Sequence, residues 1–182
     1  RRICQRLFDE NEFLSPYGIR ALSKVYGDHP YSFTEGSDSQ TLAYSPADSP
    51  VAMFGGNSNW RGPVWMPINF LLIESLQKFA HFYGDSFKVE FPTRSGHWIN
   101  LWDASLQLQS RLVGIFRRDA LGRRAFNGDV NLFQDDPHWR DLILFNEYFH
   151  GDNGCGVGAS HQTGWSAVVA KMINQLHRYP TG

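Results

Sequence analysis

Trp60 and Trp65 flank Arg61 within a glycine- and asparagine-rich segment over 55–69, and Asn69 follows Trp65 by one helical turn. Pyranose rings present apolar C–H faces that pack on indoles. Their hydroxyls bind planar groups with several donors, such as guanidinium and carboxamide. The pattern therefore predicts a sugar-binding surface. A rigid loop, with tryptophans in the core and an arginine bound to local carbonyls, explains the same residues.

Glu147 is the second candidate for chemistry, because it stands between an apolar segment and a glycine-rich turn over 150–160. Aromatic and apolar neighbours desolvate a carboxylate and so tune it for acid or base work. Tyr148, His161 and Trp165 belong to the same stretch, and from the residues alone His161 is interpreted as a polar loop or cap residue. From these residues alone, an exposed glutamate at a helix end is the simpler interpretation.

Motifs for metal, nucleotide or nucleophile chemistry are missing from the sequence. The seven histidines include no His-Glu-x-x-His and no pair four residues apart, and Cys4 and Cys155 have no paired spacing. The glycines over 154–158 follow no predicted strand and lack the Gly-Lys-Ser/Thr of a phosphate loop. The sequence therefore predicts no metal and no cofactor. The low cysteine count favours a cytoplasmic location without establishing one.

Composition narrows the classes of partner. The 182 residues carry 17 Lys and Arg against 18 Asp and Glu, a formal net charge of −1, which provides no basic field for nucleic acid. No apolar run approaches the length of a membrane-spanning helix, so no membrane partner is expected. Hydrophobic residues make up 42% of the chain, enough for a buried core.

Hydrophobic periodicity and helix-stop residues predict the elements that position these side chains. The predicted helices cover 16–26, 66–83, 97–118, 137–149 and 161–177. In the last of these, Ser160 is the expected N-cap, and Pro180 is expected to end the helix. A small β-hairpin is considered over 116–126. These elements favour a mainly helical architecture in which long loops carry most aromatic and glycine residues.

Four pieces of the sequence, in this order, resemble glycoside hydrolase family 63. They are Phe13–Ser23, Asn59–Trp65 with Asn69, Phe145–Phe149 and Gly164–Ser166. This is the family of processing α-glucosidase I and of relatives that act on α-glucosides and mannosylglycerate-like substrates. The resemblance extends over residues 7–176, nearly the whole chain.

The resemblance implies an all-α fold, the C-terminal part of an (α/α)6 barrel with long loops. Residues 1–182 would form the C-terminal half of one catalytic domain, with the N-terminal half of the same chain as its partner. It also implies inverting hydrolysis of an α-linked oligosaccharide or glycoside by two carboxylates. Glu147 matches the general base, whereas the general acid, an Asp of an earlier motif, has no match here. The isolated chain is therefore expected to be nearly inert and to expose apolar seams.

The resemblance matches three of the binding residues, and the hypothesis of an inverting α-glycosidase adds the others. Trp60, Arg61 and Trp65 match the lining of the −1 sugar pocket, and Arg61 with Asn69 would bind sugar hydroxyls. Trp165 would shape the pocket, and Tyr148 and His161 would add further contacts. Two alternatives stay open, namely a carbohydrate-binding or scaffold fragment without catalysis, and a trehalase-like specificity.

Overall fold

Strands accompany the helices throughout the computed structural model, which describes residues 1–50 and 59–179. Within this part, 37% of the residues are helical and 18% are in strands or bridges, and the strands form four two-stranded antiparallel sheets. The all-α prediction, given as part of an (α/α)6 barrel, is therefore wrong. Periodicity misses most strands because they are two or three residues long. Residues 55–58 of the tryptophan segment, and Pro180, lie outside the described residues.

The described residues form two long helices, and the other helices and strands are short. The α-helices are α1 (Arg2–Leu7), α2 (Met66–Tyr83), α3 (Leu101–Gly114), α4 (Asn131–Asp135), α5 (Thr163–Ser166) and α6 (Val169–Arg178). The strands pair as β1 (Leu14–Ser15) with β2 (Gly18–Ile19), β3 (Tyr31–Glu35) with β4 (Asp38–Leu42), β5 (Lys88–Glu90) with β6 (Trp98–Asn100), and β7 (Tyr148–Phe149) with β8 (Gly156–Val157). None of the described helices is both long and apolar enough to cross a bilayer.

Helices α2, α3 and α6 form the core of the molecule. Ile73 of α2, Leu108 and Leu112 of α3 and Met172 of α6 are all almost completely buried. The predicted helix over 66–83 is confirmed with the same bounds, because a proline in its first turn and Gly84 after its last residue mark both ends.

The helix predicted over 97–118 is shorter than expected. Its first residues form β6, and α3 begins only where the Asn100 side chain accepts a hydrogen bond from the Asp103 N–H at 2.8 Å. After α3 the chain turns back through one antiparallel bridge between Arg118 and Arg124. This bridge confirms the small hairpin considered over 116–126.

The helix predicted over 137–149 is wrong. The chain there runs through turns, and α4 ends before it, at Asp135. At its C-terminal end Phe149 exchanges backbone hydrogen bonds with Val64, at N···O distances of 2.8 and 3.0 Å. This long-range pairing outweighs the local apolar periodicity, so the segment is extended where the pattern predicted a helix.

Two further predicted helices differ from the structure. The segment over 161–177 is divided into α5 and α6 by a break at Ala167 and Val168, and Gln162 rather than Ser160 precedes α5. The segment over 16–26 contains β2 and a single 3-10 turn (Lys24–Tyr26). Gly18 has a φ of +133°, which excludes a regular helix at that position.

Candidate functional site

Glu147 lines a cavity of about 500 Å³, together with Asp48, Ser49, Gly158 and Ala159. The cavity joins two distant parts of the sequence, the loop that follows the β3–β4 hairpin and the turn that follows β8. Two carboxyl groups therefore border one sugar-sized space. Among the described residues, no cluster of three or more His, Cys, Asp or Glu side chains could hold a metal ion.

Short backbone pairing holds Glu147 at the cavity wall. Its N–H donates to the Ala159 carbonyl at 2.8 Å, and its Oε2 accepts from the Ala159 N–H at 3.2 Å. Gly158 has a φ of +70°, and a Cβ there would lie 2.8 Å from the same Oε2. The backbone thus approaches the carboxylate as closely as only a glycine allows. The glutamate is half-buried, so the alternative of a freely exposed side chain does not describe it.

Four of the predicted site residues form one aromatic cluster. The Trp60 and Trp65 rings stack with their centroids 4.0 Å apart, and Tyr148 stacks on Trp65 at 4.6 Å. Trp165 meets Trp65 edge-on at 6.4 Å. Trp65 is 2% exposed, whereas Trp60 and Trp165 are each 40% exposed. The exposed rings of Trp60 and Trp165 are therefore the parts of the cluster that a ligand could reach, and Trp65 packs against both.

Tyr148 connects the aromatic cluster to the cavity. Its hydroxyl donates a hydrogen bond to Asp48 Oδ1 at 3.0 Å. Burial raises the pKa of Tyr148, and the hydrogen bond to Asp48 raises it further, so the phenol stays protonated and remains a donor. Sequence reasoning missed Asp48, because a lone aspartate in a loop carries no motif. Only the tertiary fold brings it to the cavity that Glu147 lines.

Arg61 holds the loop over 45–49 in place. It is 5% exposed, and its Nη2 donates to Ser49 Oγ at 2.6 Å. The neighbouring Asn59 amide donates to the carbonyls of Ser45 and Ala47, at 2.7 and 2.5 Å. These contacts match the alternative of a rigid loop around a locally bound arginine. Arg61 thus borders the site through Ser49, which lines the cavity.

Asn69 and His161 do not line the cavity. The Asn69 side chain is buried. Its Oδ1 accepts the Ile19 N–H at 2.7 Å, and its Nδ2 donates to the Ile19 carbonyl at 3.0 Å. Its carboxamide therefore joins α2 to β2. His161 is exposed and lies where the chain bridges to Phe145.

A buried ionic cluster fixes the loop from the other side. Arg20 Nη2 contacts Asp152 Oδ1 at 3.0 Å, and the Tyr44 hydroxyl donates to the same oxygen at 3.1 Å. Burial disfavours ionisation of both acids. Burial raises the pKa of Tyr44. At Asp152 the hydrogen bond and charge of Arg20, the charge of Lys24 and the Tyr44 hydrogen bond together outweigh burial and lower the pKa. The cluster anchors the chain just before Asp48 to the chain just after Tyr148.

No family model matches the chain. It is 49% identical over 176 residues to the uncharacterized protein YMR196W of Saccharomyces cerevisiae, covering 96% of this chain and 16% of that protein. It is 23% identical over 167 residues to a probable mannosyl-oligosaccharide glucosidase of Schizosaccharomyces pombe, covering 92% of this chain and 14% of that protein. It is 25% identical over 141 residues to the mannosyl-oligosaccharide glucosidase of S. cerevisiae, covering 77% of this chain and 13% of that protein.

These comparisons establish a distant homology to mannosyl-oligosaccharide glucosidases. The chain spans 13–16% of the length of the relatives it matches. It is therefore related to one segment of much longer proteins.

Proposed function

We propose that this chain carries the base side of the active site of an inverting α-glycosidase of glycoside hydrolase family 63, within a longer catalytic domain. One observation carries the proposal. Glu147, whose Oε2 accepts the Ala159 N–H, borders a cavity of about 500 Å³ that Asp48 also borders, and Asp48 accepts a hydrogen bond from Tyr148 at the end of the tryptophan–tyrosine stack. The distant homology to a glucosidase supports the same reaction class.

In the proposed mechanism Glu147 accepts a proton from a water molecule. The water attacks the anomeric carbon on the face opposite the leaving group, and an Asp from outside this chain protonates the leaving oxygen. The two catalytic carboxyl groups of an inverting enzyme stand about 6.5–9.5 Å apart, which leaves room for that water. Asp48 accepts hydrogen bonds from sugar hydroxyls, and Trp60 and Trp165 pack against the ring.

The deciding experiment replaces Glu147 by Gln in the full-length protein that carries this chain. Loss of a general base should lower kcat by about a thousandfold while the melting temperature stays near that of the unchanged protein. Glu35→Gln, on the exposed β3–β4 hairpin, is the matched control and should retain full activity. A near-normal rate in Glu147→Gln would show that another group activates the water.

Product analysis separates the remaining alternatives. When hydrolysis of an α-linked glucoside is monitored by NMR, the β-anomer of the sugar should appear first, because inversion changes the configuration at the anomeric carbon. Faster turnover of trehalose than of other α-glucosides would indicate the trehalase-like specificity. Binding of these sugars without turnover by the full-length protein would favour a carbohydrate-binding scaffold, for which the exposed Trp60 and Trp165 rings suffice.

A further inference from the structure

A second cavity, of about 520 Å³, lies at the C-terminal end of α3. Arg117 and Arg118 border it from the chain that follows α3 into the hairpin, and Arg123 and Arg124 border it from the returning arm. It shares no lining residue with the cavity of Glu147. Four guanidinium groups therefore line one open space that the proposed hydrolysis does not use.

The hairpin brings two of these charges side by side. Arg118 and Arg124 are paired across the antiparallel bridge, and each donates to the carbonyl oxygen of Arg140 at 2.8 Å. Burial lowers the pKa of Arg124, and the charge of Arg118 lowers it further. The two cations thus repel each other at a position that the fold holds fixed.

Negative charge within the cavity does not balance the arginines. Arg118 is paired with Asp141 at 2.7 Å, whereas Arg123 lies 3.8 Å from Asp129. Arg117 and Arg124 form no ion pair within residues 1–50 and 59–179.

The acidic side chains of Asp129 and Asp119 line the cavity, and Asp119 is already engaged by the backbone. The carboxylate of Asp119 accepts the backbone N–H groups of Leu121 and Arg123, at 2.9 and 2.8 Å. The cavity therefore keeps positive charge on Arg117 and Arg124 that no acidic side chain in the described part of the chain neutralises in an ion pair.

We propose that this arginine cavity binds a phosphate group, either free or as the phosphate monoester of a small ligand such as a sugar. Guanidinium groups present planar sets of N–H donors that match the oxygens of phosphate, and a bound oxyanion offsets the repulsion between Arg118 and Arg124. Arg118 and Arg124 are held closely by local carbonyls. Arg123 makes only long contacts, at 3.4 Å to the Gly128 carbonyl and 3.8 Å to Asp129, so Arg117 and Arg123 are the side chains best able to move onto the anion. The cavity is large enough to admit a sugar phosphate as well as the ion.

The test is calorimetric titration of the full-length protein with inorganic phosphate and, separately, with glucose 6-phosphate. Both should bind at neutral pH, more weakly as sodium chloride is added. Equal affinities identify the free anion as the ligand, and tighter binding of glucose 6-phosphate identifies a phosphate monoester. If neither inorganic phosphate nor glucose 6-phosphate binds, the proposal is wrong.

Two variants localise the binding. Arg117→Ala with Arg123→Ala should weaken it by at least about tenfold, because charge-assisted hydrogen bonds are lost. Arg178→Ala, which removes an exposed cation at the end of α6, should leave it unchanged. Equal losses in both would show a non-specific charge effect and refute the site. Melting temperatures near that of the unchanged protein exclude misfolding of either variant as the cause, and glycosidase activity is not part of the readout.

Discussion

Asp48 is a site residue that the structure reveals and the sequence does not predict. Its Oδ1 accepts the Tyr148 hydroxyl, and its side chain is exposed to the cavity that Glu147 borders. A carboxylate fixed by one phenol can still accept hydrogen bonds from a substrate. Within the proposed mechanism its expected role is therefore to orient the sugar, and proton transfer from water is assigned to Glu147.

Replacement of Asp48 tests this division of roles. Asp48→Asn should raise KM for an α-glucoside by about tenfold and lower kcat less, because a hydroxyl acceptor is weakened while the base is untouched. Steady-state kinetics of the full-length protein measures both. Asp38→Asn, on the exposed hairpin, is the control. A large fall in kcat with KM unchanged would instead assign Asp48 a part in the chemical step.

Asp152 provides a prediction about acid stability. Its pKa is lowered in the folded state, so the stability it contributes is present above its ordinary value of 3.8 and is lost as the pH falls through the folded value. Asp152→Asn should therefore lower the melting temperature at neutral pH, where it leaves the Arg20 guanidinium without its carboxylate. As the pH falls from 3.8 through the lower folded value, the two proteins should converge, as measured by thermal unfolding across the acid range. A difference that stays constant with pH would contradict the ionic role.

At the scale of elements, the sequence predicts the helices that bury a continuous stripe and misses the segments that depend on distant partners. The bounds of α2 follow from its periodicity and stop residues. The pairing of Phe149 with Val64 has no local signal, so the segment before Phe149 was predicted as a helix. The site divides in the same way, since the types of Glu147 and Trp60 suggested chemistry, whereas Asp48 required the fold.

The turn between β8 and α5 is the element that sets the position of the Glu147 carboxylate. Gly158→Ala should lower kcat by at least about tenfold, because the new Cβ would displace Oε2 and weaken its bond to the Ala159 N–H. Gly36→Ala separates this effect from backbone strain, because Gly36 also has a positive φ but no atom within 4 Å of the added Cβ. Both variants should lose about 1–2 kcal/mol of stability. Equal activity in the two would mean that the turn does not position the carboxylate.

For the whole molecule, the outer face of α2 is the feature that the packing leaves unexplained. Apolar side chains along it stay exposed, namely Ile68, Leu71, Phe79, Phe82 and Tyr83. Contiguous apolar surface of this kind marks an interface in natural proteins and an aggregation risk in an isolated chain. The matched relatives are at least six times longer than the segment they share with this chain, so other parts of a longer protein are the expected cover.

Polar substitutions on this face should raise the solubility of the isolated chain and lower the stability of the full-length protein. In the 182-residue chain alone, Leu71→Ser with Phe79→Ser should raise solubility, because both side chains face water, with exposures of 59% and 53%. In the full-length protein the same pair should lower the free energy of unfolding by about 2–5 kcal/mol per site, because buried apolar contacts would be lost. Lys78→Ser on the same helix should change neither quantity, and sedimentation with chemical denaturation measures both. A full-length protein that tolerates the pair without loss of stability would show that its own chain leaves the face uncovered.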